Sequence, residues 1–238
     1  EAVRKPFSPE LGALKEFQEE IPTEIYRRIQ ERLREDQLPE GMLERIESFP
    51  PEKQEEALGM VPAARAAFIA VSELAGTVEP SRPKADNRQI FSLADRVASA
   101  VIQRGLTERF PKYGYLDEEV EGSDEHPDQT KKCWIVDPLD GSAGVVRGLN
   151  TWAVGIALHE KKDVEKGNTG ITLGLIASPQ YNNTEVLIGG KGLGCFDWAG
   201  KEVRVSQTTD PKEISLAVGS RDIRTRKRDE EEYIATLQ

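Results

Sequence analysis

The sequence predicts a mixed α-β fold: an α+β core with helices packed on a mixed sheet, preceded by an α-helical N-terminal extension. Three observations carry this. Residues 1–60 are rich in Glu, Arg, Gln and Leu and are broken by Pro22, Pro39, Pro50 and Pro51. Two apolar, Ala- and Val-containing stretches with helical spacing follow, and beyond Pro111 the apolar spacing drops to two. The run of short strands ends in a strand-to-helix step over 215–237, an order that suits helices packed on a mixed sheet.

Each element has its own signal. In PTEIYRRIQERLRED, residues 22–36, Ile25, Ile29 and Leu33 recur four apart on one helical face. Pro22 and Pro39 both suit the first turn of a helix. The N-terminal stretch therefore reads as three or four short amphipathic helices that cap the main domain. VPAARAAFIAVSELAG, residues 61–76, is an apolar helix stopped by Gly76. A polar loop, EPSRPKADNRQ, separates it from a second helix at about Leu93–Arg104. Strands are expected at Cys133–Val136, Trp152–His159, Ile171–Ala177, Thr184–Gly189, Glu202–Val205 and Ser215–Gly219. The division that follows is an extension over 1–60, a central domain over 61–206 and the start of a C-terminal α/β domain over 207–238.

Composition bounds the function. Apolar residues make up 37% and charged residues 31% of the 238, a soluble globular balance. No apolar run approaches the ~18 residues of a membrane span, so no membrane partner is expected. The formal charge is −10, from 32 basic and 42 acidic residues. Such a field repels a nucleic-acid polymer, whereas a small phosphate ester can bind where cations neutralise a local acidic site. Cys133 and Cys195 are far apart without CxxC spacing, which favours an intracellular, reducing compartment. The chain begins at Glu1, so the cytoplasm and, after removal of a transit peptide, an organelle both stay open. With only His126 and His159, histidine-based zinc chemistry and a Ser-His-Asp hydrolase have little support.

The most informative segment is WIVDPLDGS, residues 134–142. An apolar strand delivers Asp137 at its end, Pro138 forces a turn, and Asp140 follows three residues later. Gly141 lets the backbone approach a ligand. If Ser142 opens a helix, its N–H groups face whatever the aspartates hold, which makes a site for a divalent metal plus phosphate. Hard oxygen ligands suit Mg²⁺ better than zinc. Taken alone, Asp-x-x-Asp is an ordinary acidic turn.

DPLDGS, with its preceding strand and the following Arg147-Gly148 and TWAVGIAL, resembles the first signature of the inositol monophosphatase superfamily, Asp-Pro-Ile/Leu-Asp-Gly/Ser-Thr/Ser. Asp117-Glu118-Glu119 stands where that family has an acidic pair. Ser92-Leu93-Ala94-Asp95 stands where it has Thr-x-x-Asp at the start of its second helix. GCFDWAGKEVRVS resembles the family's strand-turn-strand before its second half. The resemblance implies a layered α-β sandwich of the sugar-phosphatase type and a lithium-sensitive phosphatase using two or three Mg²⁺ ions. It implies that Glu118, Asp137 and the Leu139 carbonyl hold one metal, Asp137 and Asp140 a second, and that Glu119 supports the weakest position. It assigns Asp95 and Ser142 to the attacking water, and the Gly141 and Ser142 N–H groups to the phosphate.

Gly144-Val145-Val146-Arg147-Gly148 and LAVGSRD, residues 216–222, look most like the 3′(2′),5′-bisphosphate nucleotidase branch, whose pattern is Lys-Gly-Phe-Leu/Ile-Arg-Gly. The expected substrate is thus a small phosphate ester, a bisphosphate nucleotide first and an inositol monophosphate second. The family's second signature, Trp-Asp, has no counterpart here, since Asp197-Trp198 runs in the reverse order. An incomplete site is therefore expected, and a non-catalytic homologue with an assembly role stays open. A protein contact, if one exists, is expected through residues 1–60. Cys133, Trp134 and Trp152 read as core, Gly189-Gly190-Lys191-Gly192 as a hairpin turn, and the Arg221–Arg228 cluster as a solvated helix start.

Overall fold

The structure, a computed structural model, describes residues 8–83, 90–119, 131–161, 170–179 and 185–210. The chain divides into two units, Glu1–Val203 and Arg204–Gln238. Of the second, residues 204–210 are described and carry no regular secondary structure.

Three amphipathic helices open the first unit: α1 (Ser8–Leu14), α2 (Thr23–Glu35) and α3 (Glu40–Glu47). The spacing read from the sequence is the one that folds: Ile25, Ile29 and Leu33 of α2 are all buried. Helix α1 buries Ala13 and Leu14, and α3 buries Met42 and Ile46. Helix α4 runs from Pro51 to Leu74, so it starts well before Val61 and crosses the expected 60/61 boundary. Pro50 is its N-cap and Pro51 its first residue, where a missing N–H would have no helical partner anyway. Pro62, inside the helix, forgoes one backbone bond. The helix continues because Met60, Val61, Ala63 and Ala64 on both sides are fully buried. Among the described helices α4 is the one long and apolar enough to cross a membrane, but most of it is enclosed by the rest of the unit.

The expected polar loop contains β1 (Pro80–Pro83), which pairs antiparallel with β2 (Ile90–Ser92) just beyond it. Helix α5 (Leu93–Arg109) is longer than expected by about a turn. Then come β3 (Gly114–Asp117), β4 (Lys132–Asp140), the one-turn helix α6 (Ser142–Val146), β5 (Ala153–Glu160), β6 (Ile171–Ala177), β7 (Val186–Gly190) and β8 (Gly194–Asp197). They form one sheet in the order β3-β4-β5-β6-β7-β8, with β3 and β4 parallel and the remaining neighbours antiparallel. Strand β8 takes the place of the expected strand 202–205, of which Glu202 makes only an isolated bridge to Phe196. The chain there turns tightly at Gly200, φ +79°, and leaves the sheet. The expected strand 215–219 and the helix after it lie outside the described residues.

One core joins all of this: Ile29, Met42, Met60, Phe68, Ile102, Ile156 and Phe196 belong to a single buried cluster. Backbones meet directly where α3 touches the turn after β8. A Cβ on Gly41 would stand 2.3 Å from the Ala199 carbonyl oxygen, and one on Gly200 2.1 Å from that of Gly41. Arg45 adds a bond to the Gly200 carbonyl at 2.9 Å. Arg65 of α4, itself buried, holds Asp36 at 3.1 Å and also pairs with Glu185.

Because α2 contributes to that common core, Ile29→Ala should cost ~2–5 kcal/mol of unfolding free energy, the range for a truncated buried aliphatic. In urea it should shift a single transition to lower concentration. A separate early transition would show that residues 8–50 fold on their own.

Candidate active site

Helix α5 starts with a reciprocal cap. The Ser92 hydroxyl accepts from the Ala94 N–H at 3.2 Å, and Asp95 Oδ2 accepts from the Ser92 N–H at 2.8 Å and its hydroxyl at 2.7 Å. Asp95 is wholly buried. Its second oxygen, Oδ1, accepts from the Ser142 hydroxyl at 2.5 Å. Ser142 is the first residue of α6, so one carboxylate joins the start of α5 to the start of α6. The Ser142 hydroxyl also lies 3.3 Å from the Leu139 carbonyl oxygen. Gly141, ahead of α6, has φ +89°, and a Cβ there would stand 2.4 Å from the Thr151 carbonyl oxygen. A Cβ on Gly144 would stand 2.5 Å from the Thr151 hydroxyl. These glycines admit the Thr151 segment, so the close approach expected at Gly141 is made by the protein's own backbone.

Two features of the sheet gather the acidic residues. Asp117 of β3 pairs with Val136 of β4, so Glu118 leaves the strand beside Asp137. Within β4 the register against β5 shifts, with Asp137 opposite Gly155 and Asp140 opposite Ala153. Residues three apart on a regular strand point to opposite faces. The extra residue of this bulge sends Asp137 and Asp140 to the same one. Burial first, then the charges of Glu118 and Asp140, push the Asp137 carboxyl up to about 6, and the Leu139 amide opposes them. Glu119 adds to the repulsion. Among the described residues, Asp137 Oδ1 is buried with no hydrogen-bond partner. A buried oxygen of this kind among carboxylates is short of a positive charge, and an all-oxygen donor set fits a hard divalent cation. Among the described residues no three such side chains already form a closed cage. Glu118 and Asp140 are exposed, so closing one asks for side-chain rotation rather than unpacking.

This chain matches the profile of the inositol monophosphatase family over residues 53–238. It belongs to that family. The inositol-1-monophosphatase of Caulobacter vibrioides is 34% identical over 164 residues, covering 67% of this chain and 59% of that protein. The histidinol-phosphatase of Chlorobaculum parvum is 34% identical over 113 residues, covering 48% of this chain and 39% of that protein. The solved structure of a Thermotoga maritima IMPase superposes with a TM-score of 0.52 at 27% identity, over 62% of this chain and 52% of that one. The chain thus spans between 39% and 59% of the length of these curated relatives.

For this inositol monophosphatase family chain, two groups of expected site residues emerge: Asp95 with Ser142 and the Leu139 carbonyl, and Asp137 with Glu118, Glu119 and Asp140. The segment Leu139–Ser142 links them. Asp197 accepts the N–H groups of Ala199 and Lys201, both at 3.0 Å, and Trp198 lies 4.9 Å beneath the Arg65 guanidinium. That pair is a turn and a packing contact. Gly189 to Gly192 form the β7–β8 hairpin. The segment 216–222 and the Arg221–Arg228 cluster lie outside the described residues. Sequence reasoning gave no role to Asp117, which is buried and accepts from Ser99 and Tyr115. Period-two alternation was its one signal, since it sets residue 117 on the face opposite Glu118.

A carboxyl raised above its ordinary 3.8 to about 6 binds its proton more tightly in the folded chain than in the unfolded one. Its stabilising contribution is full below the unfolded value and lost as pH rises through about 6. In chelator, thermal stability of the parent relative to Asp137→Asn should therefore fall across that window. Mg²⁺ added above it should restore the parent and not the variant. Parallel pH profiles in chelator would show that the carboxyl is not raised, and a parent that Mg²⁺ does not restore would show that Asp137 does not hold the cation.

Proposed function

We propose that this chain carries the metal-binding part of a Mg²⁺-dependent phosphomonoesterase acting on a small phosphorylated metabolite. The observation that supports it most is the bare, buried Asp137 oxygen among three further carboxylates, beside the Asp95–Ser142 pair. Glu118, Asp137, the Leu139 carbonyl and Asp140 would hold two cations, with Glu119 at a third and weaker position. Bound there, such cations make a water more acidic and neutralise charge on the phosphate.

The chain's own residues do the rest. Asp95 Oδ1 accepts the hydrogen bond of the single Ser142 proton at 2.5 Å, so when the hydroxyl oxygen takes a proton from a water, its own proton passes to Asp95. The Asp95 charge strengthens that acceptor, because a bond to an ionised group is stronger than a neutral one. Asp95 is itself buried, so Ser142 is the group that meets the water and Asp95 orients it. The Gly141 and Ser142 backbone N–H groups are assigned to phosphate oxygens.

Two substrate readings rest on different observations. Gly144 to Gly148 resembles the 3′(2′),5′-bisphosphate nucleotidase pattern, and Arg147 just past α6 is exposed, which supports giving it a second phosphate on this reading. The name of the Caulobacter relative favours an inositol monophosphate instead. Phosphate release from adenosine 3′,5′-bisphosphate, inositol 1-phosphate and histidinol phosphate, each with Mg²⁺, separates them. On the first reading Arg147→Ala lowers activity on the bisphosphate alone. On the second it changes nothing. Mg²⁺ binding without turnover of any of the three would leave the non-catalytic, assembly role standing.

Ser142→Ala leaves the α5 cap intact. It should lower turnover by ~10²–10⁴-fold, the usual contribution of a proton-transfer group, with Mg²⁺ affinity nearly unchanged. Asp137→Asn should weaken both together. Parental turnover in Ser142→Ala would remove the serine from the water's path.

A further inference from the structure

The Asp137 group depends on where Glu118 and Glu119 point, and both are exposed or half-exposed residues just past the end of β3. Asp117, the last residue of β3, is 2% exposed. Its Oδ2 accepts from the Ser99 hydroxyl at 2.8 Å and the Tyr115 hydroxyl at 3.0 Å, and its Oδ1 accepts from the Glu119 N–H at 2.9 Å. The last bond spans two residues, the geometry in which an aspartate side chain fixes the turn that follows it.

Ser99 belongs to α5, one turn after Asp95, and residues four apart share a helix face. The same face of α5 therefore reaches the Ser142 hydroxyl through Asp95 and the Glu119 backbone through Ser99 and Asp117. We infer that Asp117 is a positioning residue: it locks the Glu118–Glu119 turn to α5 and so sets the metal-binding carboxylates in register with Ser142. The inference rests on the metal-site reading proposed above. It adds a buried carboxylate that touches neither cation nor substrate but fixes the direction of two groups that do. Groups that orient metal ligands typically matter 10–100-fold in metal affinity or activity.

Removing the Asp117 charge also weakens cation binding by simple electrostatics, so the deciding variant must keep that charge. The double variant Ser99→Ala/Tyr115→Phe leaves every carboxylate in place and takes away both hydroxyl donors to Asp117. Binding of Mn²⁺, followed through the free-ion EPR signal, is expected to weaken at least several-fold in the double variant and further in Asp117→Ala. Asp117→Asn, which keeps one acceptor oxygen for the Glu119 N–H, should bind Mn²⁺ better than Asp117→Ala. Thermal unfolding in chelator, measured alongside, separates loss of fold from loss of register. Should the double variant itself unfold, either single hydroxyl variant serves, with a smaller loss expected. Parental Mn²⁺ affinity in a folded hydroxyl variant overturns the positioning role. A parent chain that binds no Mn²⁺ overturns the metal-site reading instead, so the two failures are distinct.

Discussion

Burying a carboxylate is costly unless donors replace its water, and Asp95 is the place where that requirement organises this molecule. Stripped of water, an ionised carboxylate costs several kcal/mol unless hydrogen bonds replace its hydration. Ser92 supplies two donors from the cap of α5 and Ser142 supplies the third from the start of α6. The position of α6 is thus tied to the first turn of α5. Because Ser142 follows Asp140 by two residues, the end of β4 is held by the same bond. Gly141 and Gly144 complete the joint by letting the Thr151 backbone and hydroxyl fill the space where side chains would stand.

Several other buried charges in the first unit are handled by pairing. Glu56 and Glu160 are nearly inaccessible. Lys53 lies 2.7 Å from Glu56 and also pairs with Glu160, and Lys132 bonds Glu56 in turn. This network binds the start of α4 to the far end of the β4–β5 pair, away from Asp137. Arg65 does the same between Asp36 and Glu185. Around Asp137 the balance is reversed: burial and then neighbouring carboxylates shift it upward, against a backbone amide from Leu139. This contrast within a single core is what supports the proposed cation site at the end of β4. Asp95 and Asp117, also buried, are met by hydroxyl and amide donors.

Local sequence carried part of this. Asp137, Asp140 and Ser142 were legible because they stand in one segment whose order is also its spatial order. The amphipathic faces of α2 and α5 and the strands β4 to β7 were legible from periodicity alone. The bulge in β4 was not, although it decides that Asp137 and Asp140 share a face, because a register shift is a property of two strands. Strands β3 and β8 have four residues each, too few for alternation to stand out. The bond from Ser99 to Asp117 was not legible either, because it joins α5 to β3 across 18 positions of sequence.

The family profile begins at residue 53, within a turn of where α4 starts at Pro51. Helices α1 to α3 therefore precede the family core, yet they are not attached to it as a bead is to a string. Ile29 and Met42 lie in the same buried cluster as Phe68 and Ile156. Arg109 of α5 pairs with the fully buried Glu10 of α1 at 2.6 Å, so removing α1 would leave that arginine without this partner. Gly41 and Gly200 meet backbone to backbone, a fit that no side chain on either could share. An addition that merely rested on the surface would leave the core's outward positions polar. Here α4 is apolar around most of its circumference, and a helix of that kind must be covered on all sides. The extension covers one flank of α4, through α2 and α3, while α5 and the sheet cover the others. The helix that carries the extension into the family core thus also depends on it for cover, as α5 does through α1.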